Sequence, residues 1–289
     1  GVQTCALPIF LSFMESEIVI SIDPDKVTNI GKDLSLILAK NWLGSGEAGQ
    51  LCGKLQFVSN AFAGQYGKHF LRPLIRRQYK ITKSSTLNEE LTKSIIWWKN
   101  ALVAHQRRPI PLRRFDRPRM VVFGDGEGSG SIGCIAFYFP PGSPNHMNVE
   151  AFQLDLPHPL MNSWSTHKQK INQIEAVVPL VALLTWPEWS SNSLYCHYID
   201  NTSALATMVR GTSKTDSLGN IADLTWSIIA HRKCSPWFEW VSSNLNVSDG
   251  ISRKNFPYEW NIGWKIVSPI LPSIWRPLFC NAGGGILLL

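Results

Sequence analysis

The sequence lacks any apolar run that approaches the ~18 residues of a membrane-spanning helix. It also lacks paired cysteines: its six cysteines include no C-x-x-C pair, and none has a histidine partner at the spacing of a zinc site. Unpaired thiols are typical of a reducing compartment. We therefore expect no membrane partner, and an intracellular protein of the cytoplasm, the nucleus or both.

Acidic residues are scarce in one part of the chain, and this shortage is more informative than the net charge of +7. Residues 51–119 hold 15 of the 28 Lys and Arg residues but only three of the 21 acidic residues, a net charge of +12. Residues 1–50 carry −3 and residues 120–289 carry −2. Such a basic block is typical of a surface that faces a phosphate backbone, although an ordinary solvated basic surface has the same composition.

Hydrophobic residues make up 44% of the chain, with 12 Trp and 13 Phe. This composition excludes an intrinsically disordered protein, and 289 residues suffice for two domains that each bury a core. Residues 1–9 match the translation of a common sequencing-library adapter. We treat them as an artefact and leave them out of the interpretation of the fold.

Alternating strand and helix patterns run through the second half of the chain. They predict strands at 119–125, 131–139, 149–154, 193–199 and 236–242, and helices at 171–186, 201–209, 214–231 and 247–253. This succession is typical of a mixed sheet with helices on its faces.

The first half is mainly helical by the same criteria, after a hairpin at 10–22. Asp23 and Pro24 have the residue types of a helix start. Pro109 and Pro111 disfavour both helix and central strand. We therefore divide the chain into 10–106, a basic Pro-rich linker at 107–118, a second domain at 119–260 and a C-terminal tail at 261–289.

Four acidic residues lie where folding could bring them together. Asp125 and Asp200 each follow an apolar strand, Glu175 lies on a predicted helix, and Asp249 lies in a short Ser- and Asn-rich helix. Clustered carboxylates hold Mg²⁺ or Mn²⁺, and a site with two such ions cleaves phosphodiesters. We expect these four residues to be both metal ligands and catalytic residues, with two ions bound.

Each of these acids also has an ordinary structural interpretation: a turn residue, a solvated helix residue, a helix cap or a residue of a first helical turn. Glu127 follows Asp125 by two residues on the same strand face and is a rival ligand. Pro179 crowds the carbonyl of Glu175, so that a kink there could displace the carboxylate.

The order of these motifs resembles the ribonuclease H domain of a retroelement reverse transcriptase, most of all the tyrosine-recombinase (DIRS-like) elements and next the LTR-type elements. The matching segments are Asp125-Gly126-Glu127-Gly128, Ile174-Glu175-Ala176, Tyr198-Ile199-Asp200-Asn201-Thr202 and Asn246-x-x-Asp249-x-x-Ser252-Arg253. The resemblance implies an α/β fold with a ribonuclease H-like, five-stranded mixed sheet and flanking helices. It also implies metal-dependent cleavage of the RNA strand of RNA–DNA hybrids.

The first half resembles the primer grip, thumb and connection of a reverse transcriptase, through Gly53-Lys54-Leu55-Gln56-Phe57 and Leu71-Arg72-Pro73-Leu74. The Tyr-x-Asp-Asp turn that holds the polymerase metals in that family is absent, and the chain contains no Asp-Asp pair. We therefore expect no DNA synthesis by this chain, and reverse transcription only in a full-length parent.

An RNA–DNA hybrid is the expected partner, distinguished from DNA by the 2′-hydroxyls of its RNA strand. The expected contacts are Lys68, Arg72, Arg76, Arg77, Lys80, Arg107, Arg108, Asn201 and Arg253. His197 and His231 do not stand where the family has a mobile histidine, so we assign no catalytic histidine.

Two other functions stay open. One is a catalytically inactive, nucleic-acid-binding remnant of a retroelement polyprotein. The other is a recombinase-type nuclease of the same general fold, which the thumb and connection region disfavours.

Overall fold

The computed structural model describes residues 9–62, 65–79, 85–104, 107–112, 117–143, 145–164, 170–255 and 264–270. The described residues form two compact units, one up to Leu112 and the other from Arg117 to Ile270. Within these ranges, every helix is too short or too polar to cross a bilayer.

The first unit combines a small antiparallel sheet with four helices. Its strands are β1 (Ile9–Phe13), β2 (Glu17–Ile22) and β3 (Arg107–Pro111), in the order β1-β2-β3. Its helices are α1 (Pro24–Lys40), α2 (Ser45–Ser59), α3 (Lys68–Tyr79) and α4 (Glu89–Ala104). Helix α1 begins as the sequence predicts, because Asp23 accepts a hydrogen bond from the backbone N–H of Asp25 at 2.9 Å.

Strand β3 differs from the linker expected over 107–118. Among the described strands it pairs with β2 alone, so Pro109 and Pro111 lie on an edge strand. An edge strand tolerates proline because the ladder needs hydrogen bonds on only one of its sides. The two prolines disfavour a central strand, but on their own they do not distinguish an edge strand from a linker.

Aromatic side chains form much of the core of the first unit. Trp97 stacks on Phe70 with ring centroids 4.6 Å apart, and the fully buried Trp98 stacks on Phe62 at 6.0 Å. Both tryptophans are therefore packing residues of this core.

The second unit is built on one mixed sheet. Its strands are β4 (Arg119–Gly126), β5 (Ser131–Phe139), β6 (Asn148–Asp155), β7 (Leu194–Ile199), β8 (Ser235–Trp240) and β9 (Lys265–Ile266). Their order is β8-β7-β4-β5-β6-β9. The β4–β5 and β5–β6 pairs are antiparallel, and the β4–β7, β7–β8 and β6–β9 pairs are parallel. The predicted α/β class with a mixed sheet and flanking helices is confirmed.

The sheet has one strand more than the five expected. Strand β9 lies in the segment predicted as a tail, where Lys265 pairs with Glu150 and Ile266 with Ala151. Two residues are too few to show the alternation by which a strand is recognised in a sequence.

The helices of the second unit are α5 (His158–Ser163), α6 (Ile171–Thr185), α7 (Pro187–Ser190), α8 (Thr202–Arg210), α9 (Asp216–His231) and α10 (Asp249–Ser252). Helix α6 is buried on all sides from Gln173 to Leu184, because it lies between the sheet and helices α8 and α9. It remains one helix through Pro179, and Glu175 stays in this helix.

Close backbone approaches bring α6 and α10 against the sheet. A Cβ placed on Gly126 would lie 2.7 Å from Cγ2 of Ile174 and 3.2 Å from the backbone nitrogen of Glu175. A Cβ on Gly133 would lie 2.3 Å from the backbone nitrogen of Ser252. Glycine at these two positions allows both helices to meet the sheet at the end of β4.

Candidate metal centre

Three of the four expected ligands meet at one edge of the sheet. Asp125 lies at the end of β4 and Asp200 directly after β7, and parallel strands end at the same edge. Helix α6 adds Glu175. One ligand oxygen from each residue lies within 4.8 Å of the others. Asp125 and Glu175 are each only 5% exposed, so the group is largely shielded from water.

Opposing effects act on the pKa of Asp125. Burial raises the pKa of its carboxyl group, and the negative charges of Asp200 and Asp249 raise it further. A hydrogen bond donated by the hydroxyl of Ser252 to Oδ2 lowers it, as does the charge of Arg253. Ser252 therefore favours the ionised form that a metal ion requires.

Glu175 shows the largest perturbation in the group. Burial and the charges of Asp125 and Asp200 raise the pKa of its carboxyl group to about 9, against a smaller opposing effect of the Gly126 N–H. Without a cation, this carboxyl group is protonated at neutral pH.

Two oxygens of the group have no hydrogen-bond donor. Oε2 of Glu175 and Oδ1 of Asp200 are buried, and no N–H or hydroxyl group of a described residue donates a hydrogen bond to either oxygen. Buried polar atoms are normally paired. Carboxylate oxygens that repel one another and receive no hydrogen bond fit a divalent cation such as Mg²⁺ or Mn²⁺.

Asp249, the fourth expected ligand, lies outside this group. Its Oδ1 forms an ion pair at 2.7 Å with Arg253, one turn later on the chain. Its charge nevertheless raises the pKa of Asp125. Arg253, expected to contact phosphate, is still 63% exposed in this pair.

The segment before Asp249 anchors α10 to the sheet. Nδ2 of Asn246 donates to the carbonyl of Gly124 at 3.0 Å, and Oδ1 of Asn246 accepts from the hydroxyl of Ser248 at 2.7 Å. The hydroxyl of Ser131 donates to the carbonyl of Ser252 at 2.5 Å. The sequence identifies Asn246 and Ser252 as motif residues but does not predict the hydrogen bonds that they form. The available signal is their position, three residues before and three residues after Asp249.

Glu127, the rival ligand, lies apart from the three-carboxylate group. It is exposed, and its Oε2 accepts from the hydroxyl of Ser129 at 2.6 Å. The chain turns after Gly126, so strand alternation no longer applies at Glu127.

Asn201, expected to contact nucleic acid, caps helix α8. Its Oδ1 accepts from the backbone nitrogens of Ser203 and Ala204 at 3.0 and 2.9 Å, and its Nδ2 donates to Asn172 at 3.1 Å. The cap belongs to Asn201, which leaves the preceding Asp200 carboxylate for the metal group.

His197 faces the core of the second unit. It is fully buried, and its Nδ1 lies 2.6 Å from the hydroxyl of Tyr195. Burial lowers the pKa of its imidazole to about 3, so it is neutral at physiological pH.

Some of the expected basic contacts lie in the first unit and are engaged within the protein. Arg76 forms an ion pair with Glu90, and Arg77 donates to the carbonyl of Thr86 at 2.6 Å. Lys80 lies outside the described residues.

The other basic residues of the first unit differ in exposure. Arg108 donates to the carbonyl of Phe62 at 2.8 Å, and burial lowers its pKa. Lys68 and Arg72 are half-buried, whereas Arg107 is exposed. Arg107 is therefore the residue of this set most open to a phosphate.

Comparison with known proteins gives a structural likeness only. No protein-family model matches the chain, and no curated protein matches it. The N-terminal RNase H domain of a Mycobacterium tuberculosis protein, solved as a fusion with maltose-binding protein, is 14% identical over 47% of this chain and 92% of its own, with a TM-score of 0.32.

RNase H1 from the halophilic archaeon Halobacterium salinarum is 10% identical over 48% of this chain and 96% of its own, with a TM-score of 0.32. A type 1 RNase H with the type 2 active-site motif is 12% identical over 58% of this chain and 98% of its own, with a TM-score of 0.34. Each likeness thus extends over about half of the chain.

Proposed function

We propose that this chain is a metal-dependent endoribonuclease that cleaves the RNA strand of RNA–DNA hybrids. The observation that carries the proposal is the group formed by Asp125, Glu175 and Asp200, with ligand oxygens within 4.8 Å of one another and two buried oxygens without donors. These residues occupy three of the four motif positions that resemble ribonuclease H, and they come from segments up to 75 residues apart in the sequence.

The three carboxylates would hold Mg²⁺ or Mn²⁺. A divalent ion bound there lowers the pKa of a water molecule and stabilises charge on the departing oxygen. Ser252 orients Asp125 and favours its ionised form, while the N–H of Gly126 favours the ionised form of Glu175. The cap at Asn201 fixes the chain immediately after Asp200.

Hybrid binding is assigned to exposed cations that contact phosphates without reading the sequence of bases. Arg107 in the first unit and Arg253 beside the metal group meet this condition. Binding of this kind weakens steeply as the salt concentration rises.

We also propose that the chain derives from a retroelement reverse transcriptase, with its first unit corresponding to the thumb and connection. The order of Gly53-Lys54-Leu55-Gln56-Phe57 and Leu71-Arg72-Pro73-Leu74 ahead of the four acidic motifs supports this origin.

Cleavage of a hybrid labelled on its RNA strand tests the enzymatic proposal. Products are separated on a denaturing gel, with Mg²⁺ or with EDTA, for the unaltered chain and for the variants Asp200→Asn and Asp249→Asn. We expect Asp200→Asn to reduce the rate roughly 100-fold, because a lost metal ligand removes several kcal/mol of transition-state stabilisation. Asp249→Asn reduces it less, since Asp249 lies outside the three-carboxylate group.

A second function has a specific observation in its favour. The Asp249–Arg253 ion pair leaves three carboxylates rather than four at the site, which suits a nucleic-acid-binding module without catalysis. Equal amounts of product from the unaltered chain and from Asp200→Asn would favour this module. Duplex RNA and duplex DNA are the substrate controls, and neither should be cut.

A further inference from the structure

Trp240 lies beside the metal group at the same edge of the sheet. Strands β4, β7 and β8 are parallel neighbours, and Trp240 ends β8 opposite Ile199, the residue before Asp200. The indole N–H of Trp240 donates to the backbone carbonyl of Asp200 at 3.2 Å. This hydrogen bond fixes the ring next to a residue of the three-carboxylate group.

The ring of Trp240 is held in place and yet open to solvent. The residue is 51% exposed, although tryptophan is usually well buried in proteins. An aromatic side chain fixed by its polar atom with its apolar surface in water is a common form of contact residue. Because Trp240 lies beside Asp200, a nucleic-acid strand bound at the metal group is the molecule that would contact its ring.

Charge around Trp240 limits which part of a nucleotide can approach it. Glu239 and Asp200 flank the residue, and the carboxylate of Glu239 accepts a hydrogen bond from the backbone nitrogen of Trp240 at 3.0 Å. A phosphate is repelled by Glu239, so the contact has to come from a neutral portion of the strand. In a duplex the base faces are already stacked, which leaves the sugar as the accessible apolar surface.

We propose that Trp240 packs its exposed ring against the sugar of a nucleotide that flanks the scissile phosphate. The inference rests on the proposed function for its ligand, and it assigns to Trp240 a positioning role in the metal-centred reaction. The contact sets where the strand lies relative to the carboxylates, without reading the sequence of bases.

The same strand provides a matched control. Trp237 is 64% exposed, and its indole also has a polar partner, Oε2 of Glu239 at 3.1 Å. Trp237 pairs with Cys196, three residues before the end of the strand, whereas Trp240 pairs with Ile199 at that end. The two tryptophans therefore share strand and exposure, but only Trp240 lies at the strand end beside Asp200.

Binding of a fluorescently labelled hybrid, followed by anisotropy in EDTA at low salt, tests the proposal without requiring cleavage. We expect Trp240→Ala to weaken binding roughly tenfold, as for truncation of an aromatic anchor. Trp240→Phe keeps the ring but not the N–H and binds within about twofold of the unaltered chain. Trp237→Ala binds as the unaltered chain does.

Two results would overturn the inference. One is unchanged binding by Trp240→Ala. The other is equal weakening by Trp240→Phe and Trp240→Ala, which would mean that the hydrogen bond to Asp200 matters and the ring does not. Failure of the proposed function gives a different result. Trp240→Ala would then still weaken hybrid binding, but the unaltered chain and Asp200→Asn would yield equal amounts of cleavage product, as expected of a binding module.

Discussion

Ser252 and Asp125 lie 127 positions apart in the sequence, and the hydroxyl of one donates a hydrogen bond to the carboxylate of the other. The bond joins the short helix α10 to the end of β4. It also opposes burial, which raises the pKa of Asp125. Helix α10 thus supports the metal group through Ser252, although its own acidic residue, Asp249, is paired with Arg253.

Replacement of Ser252 by alanine should shift metal binding to higher pH. The pKa of Asp125 is already raised, and loss of the opposing hydrogen bond raises it further. A smaller fraction of Asp125 is then ionised in the variant than in the unaltered chain, so Ser252→Ala should need more Mg²⁺ than the unaltered chain for half-maximal cleavage, and the difference should be larger at pH 6 than at pH 8. Mg²⁺ titrations of hybrid cleavage at both pH values measure the effect.

Ser129→Ala is the control for Ser252→Ala, because Ser129 also donates to a carboxylate, that of the exposed Glu127. Its Mg²⁺ requirement should follow that of the unaltered chain at both pH values. A Ser252→Ala variant with the same behaviour would contradict the role given to this hydroxyl.

Replacement of Gly133 by alanine should displace α10 from the sheet. The added methyl group would lie 2.3 Å from the backbone nitrogen of Ser252, and backbone cannot move aside as a flexible side chain does. Overpacking of this kind costs about 1–3 kcal/mol of unfolding free energy. Because the displacement also separates Ser252 from Asp125, we expect slower cleavage as well as a lower midpoint in urea denaturation.

Gly128→Ala tests whether any added methyl group in this region has the same effect. Nothing lies within 4 Å of a Cβ at Gly128, which follows the end of β4. This variant should retain both stability and cleavage. Equal losses in Gly128→Ala and Gly133→Ala would rule out the close approach of α10 as the cause.

Much of the second unit could be predicted from the sequence, because strand alternation and helical periodicity are local signals. Asp125 and Asp200 were recognisable as acids at strand ends, and the sheet then places parallel strand ends together. The position of Asp249 could not be predicted in the same way. Its carboxylate has a competing partner in Arg253, and the balance between partner and metal group depends on distances that only the fold defines.

The charged residues of the first unit show the same limit of prediction from the sequence. Arg107 and Arg108 are identical as sequence signals, yet one is exposed and the other donates to the carbonyl of Phe62. That carbonyl lies 46 positions earlier in the chain. Composition predicted a basic surface, but which cations face solvent is set by long-range contacts.

The raised pKa of Glu175 makes stability depend on pH in a defined direction. Its folded value of about 9 lies above the ordinary 4.5, so Glu175 is protonated in both states at low pH and only the unfolded state is ionised between these values. Unfolding then releases a proton, and the free energy of unfolding falls by up to about 1.4 kcal/mol per pH unit as the pH rises. Bound Mg²⁺ reverses this loss, because it favours the ionised carboxylate.

Glu175→Gln should therefore remove both effects. In EDTA, we expect the variant to lose less stability between pH 5.5 and pH 8 than the unaltered chain, since an amide does not titrate. Mg²⁺ should raise the melting temperature of the unaltered chain at pH 8 and leave that of Glu175→Gln nearly unchanged. Thermal denaturation at both pH values, with EDTA or with Mg²⁺, measures the effect of pH and the effect of Mg²⁺ on the melting temperature of each protein. Parallel pH dependence in the two proteins would show that Glu175 is not the titrating group, and an equal response to Mg²⁺ would remove it from the metal ligands.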